Sequence, residues 1–99
     1  MNLNELYTNY RQDPLRWGDE FGLEFLDYIR ALVYPKCRNK DQVEDIVSTV
    51  LVNLFGSFDK FDPAKSSFKT WVTLAAQADI KNYFRDVNKR SEIHLQERQ

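Results

Sequence analysis

Cysteine occurs once, at Cys37, which excludes an internal disulfide and a cysteine-built zinc site. Histidine also occurs once, at His94, in a polar stretch that supplies no partner for metal binding or catalysis. Glycine and proline occur three times each, so turns are few and elements are long. No apolar run approaches the roughly 20 residues needed to span a bilayer. The opening MNLNELYTNYR has no basic-then-apolar leader segment. The chain holds no Ser/His/Asp set, no phosphate-cradling glycine loop and no carboxylate pair beyond ordinary helix-end acids. These absences give the expectation of a cytoplasmic protein that is not an enzyme and needs no metal or cofactor.

What is present is the composition of a compact domain. The 99 residues are 42% hydrophobic, 14% aromatic and 29% charged, which sets the chain apart from disordered sequences and suits one small domain over residues 1–99. The net charge of −1 hides an asymmetry. Residues 1–59 carry six basic and ten acidic side chains, while residues 60–90 carry seven basic and three acidic. The first part repels a polyanion and the second attracts one.

The apolar periodicity is helical throughout, and no strand pattern occurs. Residues 3–11 read as a short first helix, and Tyr10 to Gly18, with Pro14, as a connection. From about Asp19, the residues Phe21, Phe25, Tyr28, Ile29, Leu32 and Val33 form one apolar stripe at i, i+3, i+4 spacing. This helix should stop near Tyr34, because the residue before Pro35 is pushed out of the helical region. Asp41 with Glu44 looks like a capping-box variant. The helix it starts buries Val43, Ile46, Val47, Val50, Leu51, Leu54 and Phe58, and Gly56 weakens its end. Ser66 or Ser67 caps the last helix, which runs to about Val87. Residues 91–99 read as a flexible polar tail. The expected fold is all-α, a small bundle of three main helices plus a short N-terminal one.

The last helix has two faces. Steps of four from Lys65 give Lys65, Lys69, Thr73, Gln77, Lys81, Arg85 and Lys89, a slowly winding polar stripe with five cations. Leu74, Ile80 and Phe84 project between those residues. Cations beside flat apolar groups suit single-stranded nucleic acid, where charges track phosphates and rings stack on unpaired bases. The opposite face carries Phe68, Val72, Ala75, Ala76 and Tyr83 and should pack on the Val43-to-Phe58 helix. Asp79 interrupts that face, and a buried carboxylate is costly unless paired. Trp71 reads chiefly as an anchor holding the preceding loop to the bundle, with a stacking platform as the other option.

The run DIVSTVLVNLFGSFDKFDPAKSSFKTWVTLAAQADIKNYFRD, residues 45–86, resembles region 2 of bacterial sigma-70 family sigma factors. Within that family it is most similar to the compact extracytoplasmic-function group. The resemblance rests on Asp45-Ile46-Val47, the apolar helix, the Phe61-Asp62-Pro63 loop start, Ser67-Phe68, Trp71, Ala76, and Asn82-Tyr83-Phe84-Arg85. It extends loosely over residues 19–44 and does not reach the first 18. It implies a transcription-initiation domain that binds the clamp helices of the largest subunit of RNA polymerase core. It further implies recognition and opening of the promoter −10 element by capture of non-template, single-stranded bases.

By position, the resemblance puts Glu44, Asp45, Ser48, Thr49 and Val52 against polymerase. It puts Phe61, Asp62, Lys65, Ser66, Ser67 and Phe68 around a flipped base. Lys69, Thr70, Trp71, Thr73, Leu74, Gln77, Lys81 and Arg85 then follow the displaced strand. Three positions depart from the family pattern. Ser48-Thr49 stands where a Gln-Glu pair is usual, Ala78 where an Asn is common, and Leu74-Ala75 where primary sigma factors carry tandem tryptophans. Nothing in the chain resembles region 4, the reader of the −35 element. The chain is therefore expected to be an excised domain or a subunit working with a separate region 4 partner. An anti-sigma factor is a further candidate partner. The alternative function is a helical protein–protein module that binds polymerase or an anti-sigma partner without reading DNA.

Overall fold

The computed structural model describes the backbone of residues 1–97 and the side chains of residues 1–89. Every regular element among the described residues is helical: α1 (Leu3–Gln12), α2 (Pro14–Val33), α3 (Lys40–Phe55) and α4 (Phe68–Glu97). Single 3-10 turns, Tyr34–Lys36 and Phe58–Lys60, follow α2 and α3. The all-α bundle expected from periodicity is the fold observed.

Local chemistry sets the boundaries. Asn2 caps α1, its side chain accepting from the Glu5 N–H at 2.9 Å and donating back to Glu5 Oε1 at 3.1 Å. The first bond satisfies one N–H that the helix leaves open, and the second holds the capping side chain in place. The expected Tyr10–Gly18 connection shrinks to Asp13 alone. Asp13 caps α2 by accepting from the Arg16 N–H at 3.3 Å, and Pro14 occupies the first turn, where its missing N–H costs nothing. The proline thus starts a helix here.

The cap of α3 also differs from expectation. Asn39, not Asp41, is the cap, accepting from the Gln42 N–H at 2.8 Å, while Gln42 Oε1 accepts from the Arg38 N–H at 3.1 Å. Asn39 has the extended backbone (φ −146°, ψ 167°) that a cap requires. Phe58 is buried as expected, but from the 3-10 turn after α3. At the other end of the loop, Ser67 accepts from the Thr70 N–H at 3.2 Å and so caps α4. The backbone of α4 stays helical through Glu97, past the expected end at Val87. The expected tail at 91–99 is thus helical to Glu97, and residues 98–99 lie outside the described ones.

The core forms where four faces meet. It takes Leu3, Leu6 and Tyr7 from α1, Phe21, Phe25, Ile29 and Val33 from α2, and Val43, Ile46, Val47, Val50 and Leu54 from α3. From α4 it takes Phe68, Val72, Ala76 and Ile80. Ile80 is a correction, since the sequence reading placed it on the polar side. Residues 68, 72, 76 and 80 are four apart, and one such row is the stripe that faces the bundle. Asp79 is only half-buried at the edge of that stripe, so among the described residues no carboxylate enters the core.

Candidate nucleic-acid interface

The loop between the last two helices is built by Asp62. Its carboxylate accepts from the Ala64 N–H at 2.9 Å, and its carbonyl accepts from Lys65 at 3.0 Å and Ser66 at 3.4 Å. A short acidic side chain folded onto its own backbone, followed by a proline of fixed φ, defines this turn. Pro63 lowers the entropy lost on ordering it. Asp62 therefore shapes the loop, and its carboxylate is engaged within it.

Beneath the loop lies an aromatic cluster. The Phe68 and Tyr7 rings stack at 3.9 Å with 8° between planes, and Phe61 stands edge-on to both at 5.5 Å. Trp71 contacts Phe61 at 5.7 Å and Phe58 at 6.2 Å while staying half-buried. Trp71 is thus the wall behind the loop, as expected. Phe68 lies beneath the loop with little open surface. At 3% exposure it is core, and it acts on the loop by holding it. Phe61 is half-buried and keeps one edge open.

One position along from the core row of α4 lies the polar stripe. Lys69, Gln77, Lys81, Arg85 and Lys89 are exposed and Thr73 is half-buried. One residue along a helix is a rotation of roughly 100°, so the stripe flanks the buried row. Lys65 belongs to the loop rather than the helix, at the stripe's open end. Leu74 is 63% exposed and Phe84 half-buried, with Thr70 exposed beside the loop. Some members are tethered. Lys69 Nζ sits 5.4 Å from the Tyr28 ring centroid, the Tyr28 and Thr73 hydroxyls are hydrogen-bonded, and Arg85 lies 3.8 Å from Asp86. The two contacts made by the exposed cations Lys69 and Arg85 are weak, and such cations are readily recruited by phosphate. Leu74, Gln77, Lys81 and Phe84 line a depression of about 520 Å³ with Lys36 from the turn after α2. The sequence reading missed Lys36, because nothing local in sequence places that turn beside α4.

On α3, the residues Glu44, Asp45, Ser48, Thr49 and Val52 form one exposed face. Val52 is 73% exposed, and Phe55, unanticipated, extends the apolar end at 44%. The two acids have internal partners. Arg30 donates to both Glu44 oxygens at 3.1 and 3.2 Å, and the Tyr83 hydroxyl donates to Asp45 Oδ2 at 2.6 Å. Thr49 donates to the Asp45 carbonyl at 3.0 Å. The face therefore combines oriented carboxylates with an apolar end.

Other chemistry is sparse. Burial pushes the Cys37 thiol up, which keeps it protonated and a poor nucleophile. It lines a cavity of about 750 Å³ with Arg30, Tyr34 and Arg38. Burial also pushes the Asp79 carboxyl above its ordinary value, with a hydrogen bond from the Asn53 side chain opposing the shift. Among the described residues no cluster of metal-ligating side chains occurs, and no helix is long and apolar enough to cross a membrane.

The family model for sigma-70 region 2 matches residues 23–90. That span takes in most of α2, all of α3, the loop and the described face of α4, and leaves α1 outside. No curated protein and no solved structure gives a significant match.

Proposed function

Because the chain belongs to the sigma-70 region 2 family and so acts in sigma-factor transcription initiation with RNA polymerase and promoter DNA, we propose a division of labour among its surfaces. The exposed face of α3 from Glu44 to Phe55 docks on the clamp helices of the polymerase core. The loop from Phe61 to Ser67 receives a base flipped from the non-template strand of the −10 element. The stripe from Lys69 to Arg85 carries the phosphates of that strand. The stripe supports this reading most strongly: a polar row runs from the loop along α4 beside Leu74 and Phe84, with exposed cations at Lys65 and Lys69 near the loop and at Lys81 and Arg85 further along. Flipping a base costs a few kcal/mol, which stacking and edge hydrogen bonds in a pocket offset. With Leu74-Ala75 in place of paired tryptophans, little stacking surface is available to drive strand separation. Melting therefore leans on base capture.

The test is charge reversal at Lys65, Lys69 and Lys81 together. These side chains are exposed, so the fold should survive. The expected result is loss of binding to single-stranded −10-like DNA and of promoter-dependent transcription, with polymerase binding retained. If promoter-dependent activity persists in the triple variant, DNA reading is wrong. The reading it yields to is a protein–protein module, favoured by the exposed Val52 and Phe55 on α3.

A further inference from the structure

Helix α1 lies outside the family match, yet it forms one side of the cleft beside the loop. The cleft holds about 290 Å³. Asn4 and Thr8 line it from α1, and Pro63, Ser66 and Ser67 face them from the loop. The stacked Tyr7 and Phe68 rings close its floor.

The hydrogen bonds settle which polar atoms remain available. The Lys69 backbone N–H donates to Asn4 Oδ1 at 2.8 Å. A backbone N–H has only a proton to offer, so the side-chain atom facing it is the oxygen, and the Asn4 NH₂ is the free end. The hydroxyl protons around the cleft are spent within the protein. Thr8 donates to the Asn4 carbonyl at 3.1 Å, Ser66 to the Ser67 carbonyl at 3.2 Å, and Ser67 to Thr70 Oγ1 at 3.0 Å. These hydroxyls keep lone pairs beside the cleft, and the Asn4 amide at its wall keeps its N–H donors. The bond to Lys69 also pins the Asn4 side chain to the first turn of α4, so it is orientated before a ligand arrives.

We propose that Asn4 is a specificity-determining residue of the base pocket, its amide donating to an acceptor on the edge of the captured base. This rests on the base-capture reading above. In this arrangement the loop and α1 act as two jaws, the loop hydroxyls accepting from the base and Asn4 donating to it. A base with a donor where Asn4 meets it leaves two donors face to face and is rejected, since an unpaired buried polar group is costly.

The test uses the full chain in complex with RNA polymerase core. A randomised pool of single-stranded 12-mers is selected on the complex, and the winning strand is remade with an abasic site at each position in turn. For the wild type, one position should stand out, its base worth about a hundredfold in affinity through stacking and hydrogen bonding together. The variant is Asn4→Asp, which keeps the oxygen that accepts from Lys69 and replaces the NH₂ with an acceptor. Its helical content should match the wild type by circular dichroism. The intact-over-abasic ratio at the captured position should fall about tenfold, the scale of one lost edge hydrogen bond with its partner stranded. On the wild type, analogues of the captured base that each lack one edge acceptor provide a second reading. One of them should cost about tenfold. If Asn4→Asp lowers intact and abasic binding equally, or neither, or if no analogue costs affinity, the role of Asn4 is wrong while base capture stands. If no abasic position matters to the wild type, base capture itself fails.

Discussion

Asp79 shows how one side chain at a helix contact sets a pH dependence. It sits half-buried on α4 where that helix meets α3, and burial raises its carboxyl above the ordinary value. A raised pKa means that the folded chain holds the proton more tightly than the unfolded one. Folding is therefore favoured by this group as pH falls through the folded pKa, and opposed at neutral pH where the charge must be kept. The Asn53 hydrogen bond reduces the penalty without removing it. Asp79→Asn should accordingly stabilise the protein at pH 7, by less than about 1 kcal/mol because the group keeps contact with solvent. The gain should vanish below the ordinary carboxylate range, where both side chains are neutral. Urea unfolding of both proteins at pH 7 and near pH 3 checks this. A variant no more stable at pH 7, or a gain that persists in acid, would contradict the assignment.

At the level of elements, cap positions decide where helices begin, and here the sequence was only partly legible. Helix identity was plain because Phe21, Phe25, Ile29 and Val33 repeat at helical spacing, as do Val43, Ile46, Val47, Val50 and Leu54. The starts were not. At α3 the capping-box spacing of Asp41 and Glu44 pointed to Asp41, while Asn39, two residues earlier, is an equally good capping residue by type. The structure chooses Asn39 because its backbone is extended and its side chain reaches the Gln42 N–H. Asn39→Ala should then destabilise the protein by about 1 kcal/mol, or roughly 4–8 °C in melting temperature for a chain of this size. Asp41→Ala, inside the first turn, should cost only the smaller helix-dipole contribution of a few tenths. Thermal melts of the two variants compare them directly, and a larger loss for Asp41→Ala would return the cap to the sequence reading. Helix α1 was legible as a helix but not as part of the site. Its bonds to the loop region, Asn4 to Lys69 and Tyr7 to Phe68, join residues more than sixty positions apart.

Across the whole molecule, the proposed site combines cations that sequence periodicity revealed with neighbours that only the fold supplies. The stripe was readable because four-residue steps persist along α4. Lys36 was not, because its turn reaches the stripe through the packing of α2 and α4. Likewise Ile80 was expected to project between the stripe residues, and the packing of the bundle buries it instead. This geometry makes the polyelectrolyte behaviour of the protein calculable despite a net charge of −1. Lys65, Lys69, Lys81 and Arg85 are the exposed cations of the stripe on the proposed strand path, from the loop as far as Arg85. Each phosphate neutralised on a single strand releases counterions, contributing about −0.7 to the slope of log K against log salt, so four contacts give about −3. Removing one cation, as in Arg85→Gln, should flatten the slope by about 0.7 and weaken binding to all single strands alike, because phosphates carry no sequence. Asn4→Asp should change the discrimination between bases while leaving the Arg85 share of the slope in place. Fluorescence anisotropy titrations of a labelled single strand between about 50 and 200 mM salt measure both. A slope near zero for the wild type would mean that the basic stripe does not carry the strand, whatever the loop does.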